Sequence, residues 1–267
     1  MWFLKLHRIF LFSITYNMLK LVVQFYIHLN KGGLFMENTK TRHSFWELPI
    51  FKNVREPGSA FTHFLGMVMA IIAGIPLLHR TMSEHSSIHT FSMAVFIISM
   101  ILLYAASTIY HTFDLSEKAN CILKKCDHMM IFVMIAGSYT PICLIVLGDT
   151  GGFAMFMGIW IIAFAGMLLK AVWVYCPKWV SSIIYIAMGW TCVFYFSQIF
   201  HELPGAAFNL LLAGGIIYTI GGIIYALKLP VFNNKYKNFG SHEIFHVFVM
   251  FGSLCHIIVM YRFVALM

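Results

Sequence analysis

The sequence predicts an all-α membrane protein: a bundle of seven transmembrane helices, with the N-terminus cytoplasmic and the C-terminus outside. Three observations predict it. Hydrophobic residues make up 60% of the 267 and charged residues only 10%, where a soluble domain carries roughly 25% charged. From Ala60 onward the chain falls into seven apolar runs, each long enough at about 1.5 Å per residue to cross roughly 30 Å of hydrocarbon. The basic residues sort into alternate connections. That pattern, with no dense basic stripe, explains the net charge of +8 by membrane topology and excludes nucleic acid as the partner.

Residues 1–35 carry Lys5, Arg8, Lys20 and Lys31 between apolar residues, without the small-residue cleavage site of a signal peptide. Lys31-Gly32-Gly33 can be encoded by AAAGGAGG, a bacterial ribosome-binding sequence, two codons before Met36. Residues 1–35 are therefore read as an untranslated or non-functional extension and 36–58 as a cytoplasmic N-terminal segment. Residues 59–267 form the membrane domain.

The spans are expected near 60–79, 89–113, 127–147, 152–171, 180–200, 206–229 and 243–265. Polar or turn-forming stretches separate them: Arg80 to Ser87, Asp114 to Lys125, Gly148-Asp149-Thr150-Gly151-Gly152, and Leu203-Pro204-Gly205. The connection around Cys176-Pro177-Lys178 is the least distinct. Seven spans put Lys40, Arg42, Lys52, Arg55, Lys118, Lys124, Lys125, Lys170, Lys178, Lys228, Lys235 and Lys237 on one side, against Arg80 and Arg262 on the other. The positive-inside bias makes the first side cytoplasmic. Six scattered cysteines without a Cys-x-x-Cys pair exclude a zinc ribbon and a disulfide framework.

Topology gives the unusual polar residues a depth. Ser107 and His111 end the second span, Asp127 and His128 begin the third, and His242 and His246 begin the seventh. Glu56, Ser59 and His63 stand at the entry to the first. Ionisable groups at the hydrocarbon boundary are costly and face a bundle interior with a partner. His242 and His246, four residues apart, share one helix face, and His111 completes three imidazoles suited to zinc, with a fourth position for water. Zinc lowers the pKa of that water to about 7. Asp127 is the candidate to hold it and take its proton, with Ser107 one turn before His111. Glu56 and His63 are further candidates at the same level, although His63, like His128 and His201, also fits a structural role. Ser59 fits a helix N-cap. His79, His85, His89 and His256 fall on the outer half and are read as structural or solvated.

His242-Glu243-Ile244-Phe245-His246 also spells H-E-x-x-H, the zinc protease motif in which Glu is the general base. No Asp or Glu follows His246, so a downstream carboxylate ligand is lacking.

Glu56-Pro57-Gly58-Ser59-Ala60-Phe61-Thr62-His63, Ser107-Thr108-Ile109-Tyr110-His111, Asp127-His128, Ala136-Gly137-Ser138-Tyr139-Thr140-Pro141 and His242 to His246 together resemble the motifs of the hemolysin III family. That family is related to the progestin and adipoQ receptors and, more distantly, to alkaline ceramidases. The resemblance covers about residues 50 to 265. It implies zinc held by His111, His242 and His246 towards the cytoplasmic face, with Asp127 and Ser107 around the water. Ser59 departs from the family pattern, where many relatives carry Asn.

The resulting expectation is a zinc-dependent hydrolase of a membrane lipid amide or ester in the bacterial plasma (inner) membrane. The alternatives are a membrane-acting protein without chemistry, whether haemolytic and channel-forming or controlling membrane fluidity and energetics, and a receptor-like sensor. For the N-terminus, purine-rich codons at Lys31-Gly32-Gly33 and a native N-terminal peptide beginning at Met36 are the expected results; a peptide beginning at Met1 overturns that reading.

Overall fold

The computed structural model describes residues 51–84, 87–228 and 240–267. The expectations for residues 1–35, Met36, Lys40, Arg42, His85, Lys235 and Lys237 lie outside the described residues. Asn53–Met267 forms one compact unit.

Long apolar stretches must satisfy their backbone internally once water is excluded, and helices do so. The unit is accordingly helical: α1 (Pro57–Glu84), α2 (Ser87–Thr112), α3 (Glu117–Pro141), α4 (Gly152–Val172), α5 (Lys178–Gly189), α6 (Phe196–Glu202), α7 (Gly205–Leu227) and α8 (Ser241–Arg262). α5 and α6 are halves of one span, joined by a 3-10 segment, Trp190–Tyr195. Seven membrane-length apolar stretches result among the described residues. Neighbours in sequence pack together from α1 to α4, α5 packs on α7 and α7 on α8, and α8 closes the ring against α1.

The outer surface shows the solvent for which the bundle is built. Ile72, Ile75, Phe153, Ile161, Phe164 and Phe194 are all exposed, as lipid-facing residues are, while Tyr104, Phe96, Phe132 and Met260 fill the interior. Since lipid is as apolar as these side chains, close approach of helices does the work of association, and small residues permit it. A Cβ on Gly137 of α3 would run into Ser99 of α2, and one on Gly166 of α4 into the Phe132 ring. Gly214 and Gly221 of α7 are likewise filled from within the protomer, by His256 and Phe248 of α8.

Two departures from regular helix have local causes. Pro141 lacks an N–H and α3 widens after it into a π-helical segment, Ile142–Leu147. It ends where Gly148 donates to the Cys143 carbonyl at 3.2 Å; Gly148 and Gly151 then take φ of 46° and 98° to turn the chain. The break in the fifth span is bridged by a side chain. The Tyr139 hydroxyl donates to the Gly189 carbonyl at 2.5 Å and accepts from the Cys192 amide at 2.9 Å, so the opened backbone is satisfied without water. This gives the Tyr of Ala136-Gly137-Ser138-Tyr139-Thr140-Pro141 a concrete task.

The span boundaries follow the sequence expectation closely with one exception. The third begins at Glu117 rather than near 127, because Ser116 caps it, accepting from the Ala119 amide at 3.4 Å. The charged stretch 117–125 is helix, so Asp127 stands well inside α3 and not at its start. Ser59 is not an N-cap either: α1 begins at Pro57, and Ser59 lies within its first turn. Replacing Gly137 by Val is expected to separate α2 from α3 and lower the thermal midpoint of the purified protein by several degrees, whereas Gly215→Val, where a Cβ meets open space, leaves it unchanged.

Candidate metal centre

One end of the bundle gathers the entry of α1, the end of α2 and the start of α8. The last carbonyls of α2 have no partner within their own helix, and the chain before α1 supplies two. Glu56 N–H donates to the His111 carbonyl at 2.9 Å and Arg55 N–H to the Thr112 carbonyl at 3.2 Å. Backbone docking thus sets Glu56 directly beside His111.

The Glu56 carboxylate reaches His111 Nδ1 at 2.5 Å. A carboxylate accepts there, so His111 carries its ring proton on Nδ1 and turns a bare Nε2 inward. The hydrogen bond from His111 holds the Glu56 carboxyl below its ordinary value, outweighing the upward push of burial, with Arg55 and Lys178 assisting. Thr62 does the same for His246. Its hydroxyl proton is committed to the Gly58 and Ser59 carbonyls, both at 3.0 Å, so at 3.1 Å it accepts from His246 Nδ1. His246 too is left with a bare Nε2.

His242 completes the group. Its Nε2 lies 3.3 Å from Nε2 of His111, and ligand nitrogens of His111, His242 and His246 all fall within 4.8 Å of one another. His111 and His246 are buried. The two Nε2 atoms are close enough to share a proton, and His242 Nδ1 is buried without a hydrogen-bond partner. A divalent cation such as zinc would take the place of that shared proton, and a donor set of imidazoles backed by a carboxylate and a hydroxyl fits it. The three residues singled out by depth and spacing are thus brought together.

Two cavities meet at this group. An inner one of about 210 Å³ runs into the bundle past Leu103, Ile131, Ile135, Phe208 and Val249. An outer one of about 410 Å³ opens among Arg55, Glu56, Tyr110, Lys124 and Lys178. Asp127, His128, Tyr225 and His242 border both. Ser107 is buried on the inner wall within reach of Asp127. His63 stacks on His246 with ring centroids 3.5 Å apart, and neither of its nitrogens has a partner. His201 is exposed at the far end of the fifth span, and His256, buried, binds the Gly252 carbonyl from Nδ1 at 2.8 Å; both fit the structural reading.

Glu243 borders the outer cavity with both of its oxygens engaged. Its Oε1 accepts from the Ser59 hydroxyl at 2.5 Å and its Oε2 from the Gly240 amide at 2.7 Å. It caps α8 and ties it to α1. Sequence reasoning missed the roles of Thr62 and of this Ser59–Glu243 tie. The signal for Thr62 was its place one helical turn from Gly58; nothing in the sequence marked its partner 184 residues away.

Fold and site together define a multi-pass, seven-span membrane protein with a buried three-histidine cluster at one end of the bundle. The family model described as "Haemolysin-III related" matches residues 51–257, and the chain belongs to that family. It is 34% identical over 204 residues to the hemolysin-3 homolog of Bacillus subtilis, covering 76% of this chain and 92% of that one. It is 33% identical over 198 residues to hemolysin-3 of Bacillus cereus, covering 74% and 86%. An adiponectin receptor protein of Drosophila melanogaster is 25% identical over 232 residues, 78% of this chain and 50% of the receptor.

Because Glu56 and Thr62 set the two tautomers, Glu56→Gln and Thr62→Val are each expected to weaken zinc binding by about 10- to 100-fold without altering helix content. Competition against a chromogenic chelator measures it, and wild-type affinity in both variants overturns the assignment.

Proposed function

We propose that this protein is a zinc-dependent hydrolase of a lipid amide or ester, with His111, His242 and His246 as the metal ligands. The observation that carries this reading is the meeting of an apolar and a polar cavity at the histidine cluster. An amphiphile fits that pair, its acyl chain along Leu103, Ile131 and Phe208 and its polar end among Arg55, Lys124 and Lys178, with the scissile carbonyl at the boundary. Bound zinc supplies Lewis acidity and a water acidified into the neutral range.

The protein's own groups do the remainder. Asp127, at the junction, takes the proton at its carboxylate and returns it to the departing amine or alcohol. Ser107 offers its hydroxyl to the carbonyl oxygen, and Glu56 and Thr62 keep two ligands in the binding tautomer. The apolar lining excludes bulk water from the reacting group, which strengthens each of these interactions. Glu243 is absent from the chemistry, since both its oxygens are already used.

The positive-inside bias places the site, in this proposal, on the cytoplasmic side of a bacterial plasma membrane, with residues 36–58 cytoplasmic and 59–267 in the membrane. Among the described residues, Lys118, Lys124, Lys125, Lys170 and Lys178 lie at the site's end of the bundle. A cysteine appended after Met267 is then labelled by an impermeant maleimide from outside intact spheroplasts; protection from it reverses the orientation.

The relatives named hemolysin-3 favour a second reading, a membrane-lytic role without turnover. Two measurements separate them. Purified protein is expected to hold about one zinc per chain and to release fatty acid from a lipid amide or ester only when loaded. His242→Ala/His246→Ala loses both the metal and the release. Asp127→Asn keeps the metal and loses about 10²- to 10⁴-fold in rate, and Glu243→Gln retains hydrolysis if the protein stays folded. Erythrocyte lysis by a metal-free His111→Ala variant, equal to wild type, would sink the hydrolase.

A further inference from the structure

A second polar cluster lies at the same end of the bundle, apart from the histidines. Lys170, in the last turn of α4, is fully buried. Its Nζ donates to Cys176 Sγ at 2.9 Å and to Ser181 Oγ at 2.6 Å, and Sγ and Oγ are 3.1 Å apart. Cys176 is buried in the short connection between α4 and α5, and Ser181 is in the first turn of α5. The Tyr185 ring stands 5.9 Å from Nζ.

A fully buried ammonium needs a counter-charge. The groups that Nζ meets among the described residues are a sulfur, a hydroxyl and an aromatic ring, and the sulfur is the one that readily becomes an anion. The hydrogen-bond directions agree with that assignment. Nζ gives one proton to Sγ and one to Ser181 Oγ, and the Ser181 hydroxyl is then free to give its own to Sγ. Burial raises the Cys176 thiol, but the hydrogen bonds from Lys170 and Ser181, with the Lys170 and Lys124 charges, bring it below the ordinary value. Thiolate character is what makes a cysteine reactive towards peroxides.

From this geometry we infer that Cys176 and Lys170 form an oxidant-responsive modification site, at which a hydroperoxide converts the ion pair into a reversible sulfenamide cross-link. In the first step the Cys176 thiolate attacks hydrogen peroxide. An S–O bond forms and the O–O bond breaks; sulfur loses two electrons, and the departing hydroxide takes a proton from the Lys170 ammonium and leaves as water. The products are a sulfenic acid and a neutral amine already in contact. In the second step the amine nitrogen attacks sulfur, the S–O bond breaks, and the hydroxyl leaves with one amine proton as water. No redox change accompanies this condensation, and the pair ends two hydrogens lighter than the free amine and thiol. Two equivalents of thiol reductant restore both side chains. The cross-link also removes the ammonium from Ser181, which lines the inner cavity, so oxidation acts on the wall of the candidate site.

The test uses the purified full-length protein in lipid nanodiscs, pulsed with hydrogen peroxide and mapped by mass spectrometry. Cys126 is exposed and is the internal reference. The expected result is a Lys170–Cys176 linked peptide, two hydrogens lighter and reversed by dithiothreitol, with Cys176 consumed about tenfold faster than Cys126 despite its burial. In Lys170→Arg, which keeps the charge, Cys176 is expected to stop at the sulfenic acid and be trapped by a cyclic 1,3-dione. In the wild type, oxidation of Cys176 no faster than that of Cys126 overturns the proposal, as does a trapped sulfenic acid with no linked peptide. Both of these outcomes are measured on the wild type and involve neither zinc nor hydrolysis, so they stand apart from the fate of the hydrolase reading.

Discussion

Glu56 and Thr62 accept the ring protons of His111 and His246, and that pair of hydrogen bonds turns two unprotonated nitrogens towards His242. Both acceptors come from the entry of a single helix, α1. The chain before α1 is itself held by the end carbonyls of α2, and α8 is tied to α1 through Ser59 and Glu243. The ligand geometry and the closure of the ring between α8 and α1 therefore rest on the same few residues. Disturbing the first turn of α1 disturbs the metal cluster before it disturbs the bundle.

This arrangement carries a cost in buried polar groups. An apolar bundle gains nothing from burying imidazoles without partners, yet His63 and His242 leave ring nitrogens unsatisfied. Each such group costs on the order of 1–3 kcal/mol. Much of the remaining interior avoids that cost, Ser92 Oγ excepted: Tyr139 heals the broken fifth span, and Tyr104 and Tyr218 share the Ser253 hydroxyl at 2.6 and 3.0 Å. Among the described residues, most of the unsatisfied polar atoms stand around the three histidines and along the cavity wall beside them.

The seven spans were legible because the hydrocarbon sets a minimum length that hydropathy reports directly. Their ends were less so. Lys118, Lys124 and Lys125 looked like a connection, but charge does not end a helix; it ends the part that lipid can surround. The histidine cluster was legible for a related reason. Only a few polar residues interrupt so apolar a sequence, and seven crossings force those at alternate ends to one level, so His111 and the His242–His246 pair could be matched without contacts. The partners of those histidines were hidden. Thr62 looks like an ordinary helix threonine until its hydroxyl proton is traced to its own backbone, and the break at Gly189 is visible only once Tyr139 is seen to bridge it.

Glu243 shows why letters in a row are weaker than geometry. In a zinc protease helix the glutamate between the two histidines is free to act on water. Here α8 starts at Ser241, which makes Glu243 the third residue of the helix, the position from which a carboxylate reaches back to the N-cap amide. It does so at Gly240, and its other oxygen is taken by Ser59. A spacing of four puts His242 and His246 on one helix face, and a helix N-terminus favours an acid at its third position. Two independent requirements of helix geometry are enough to write the motif.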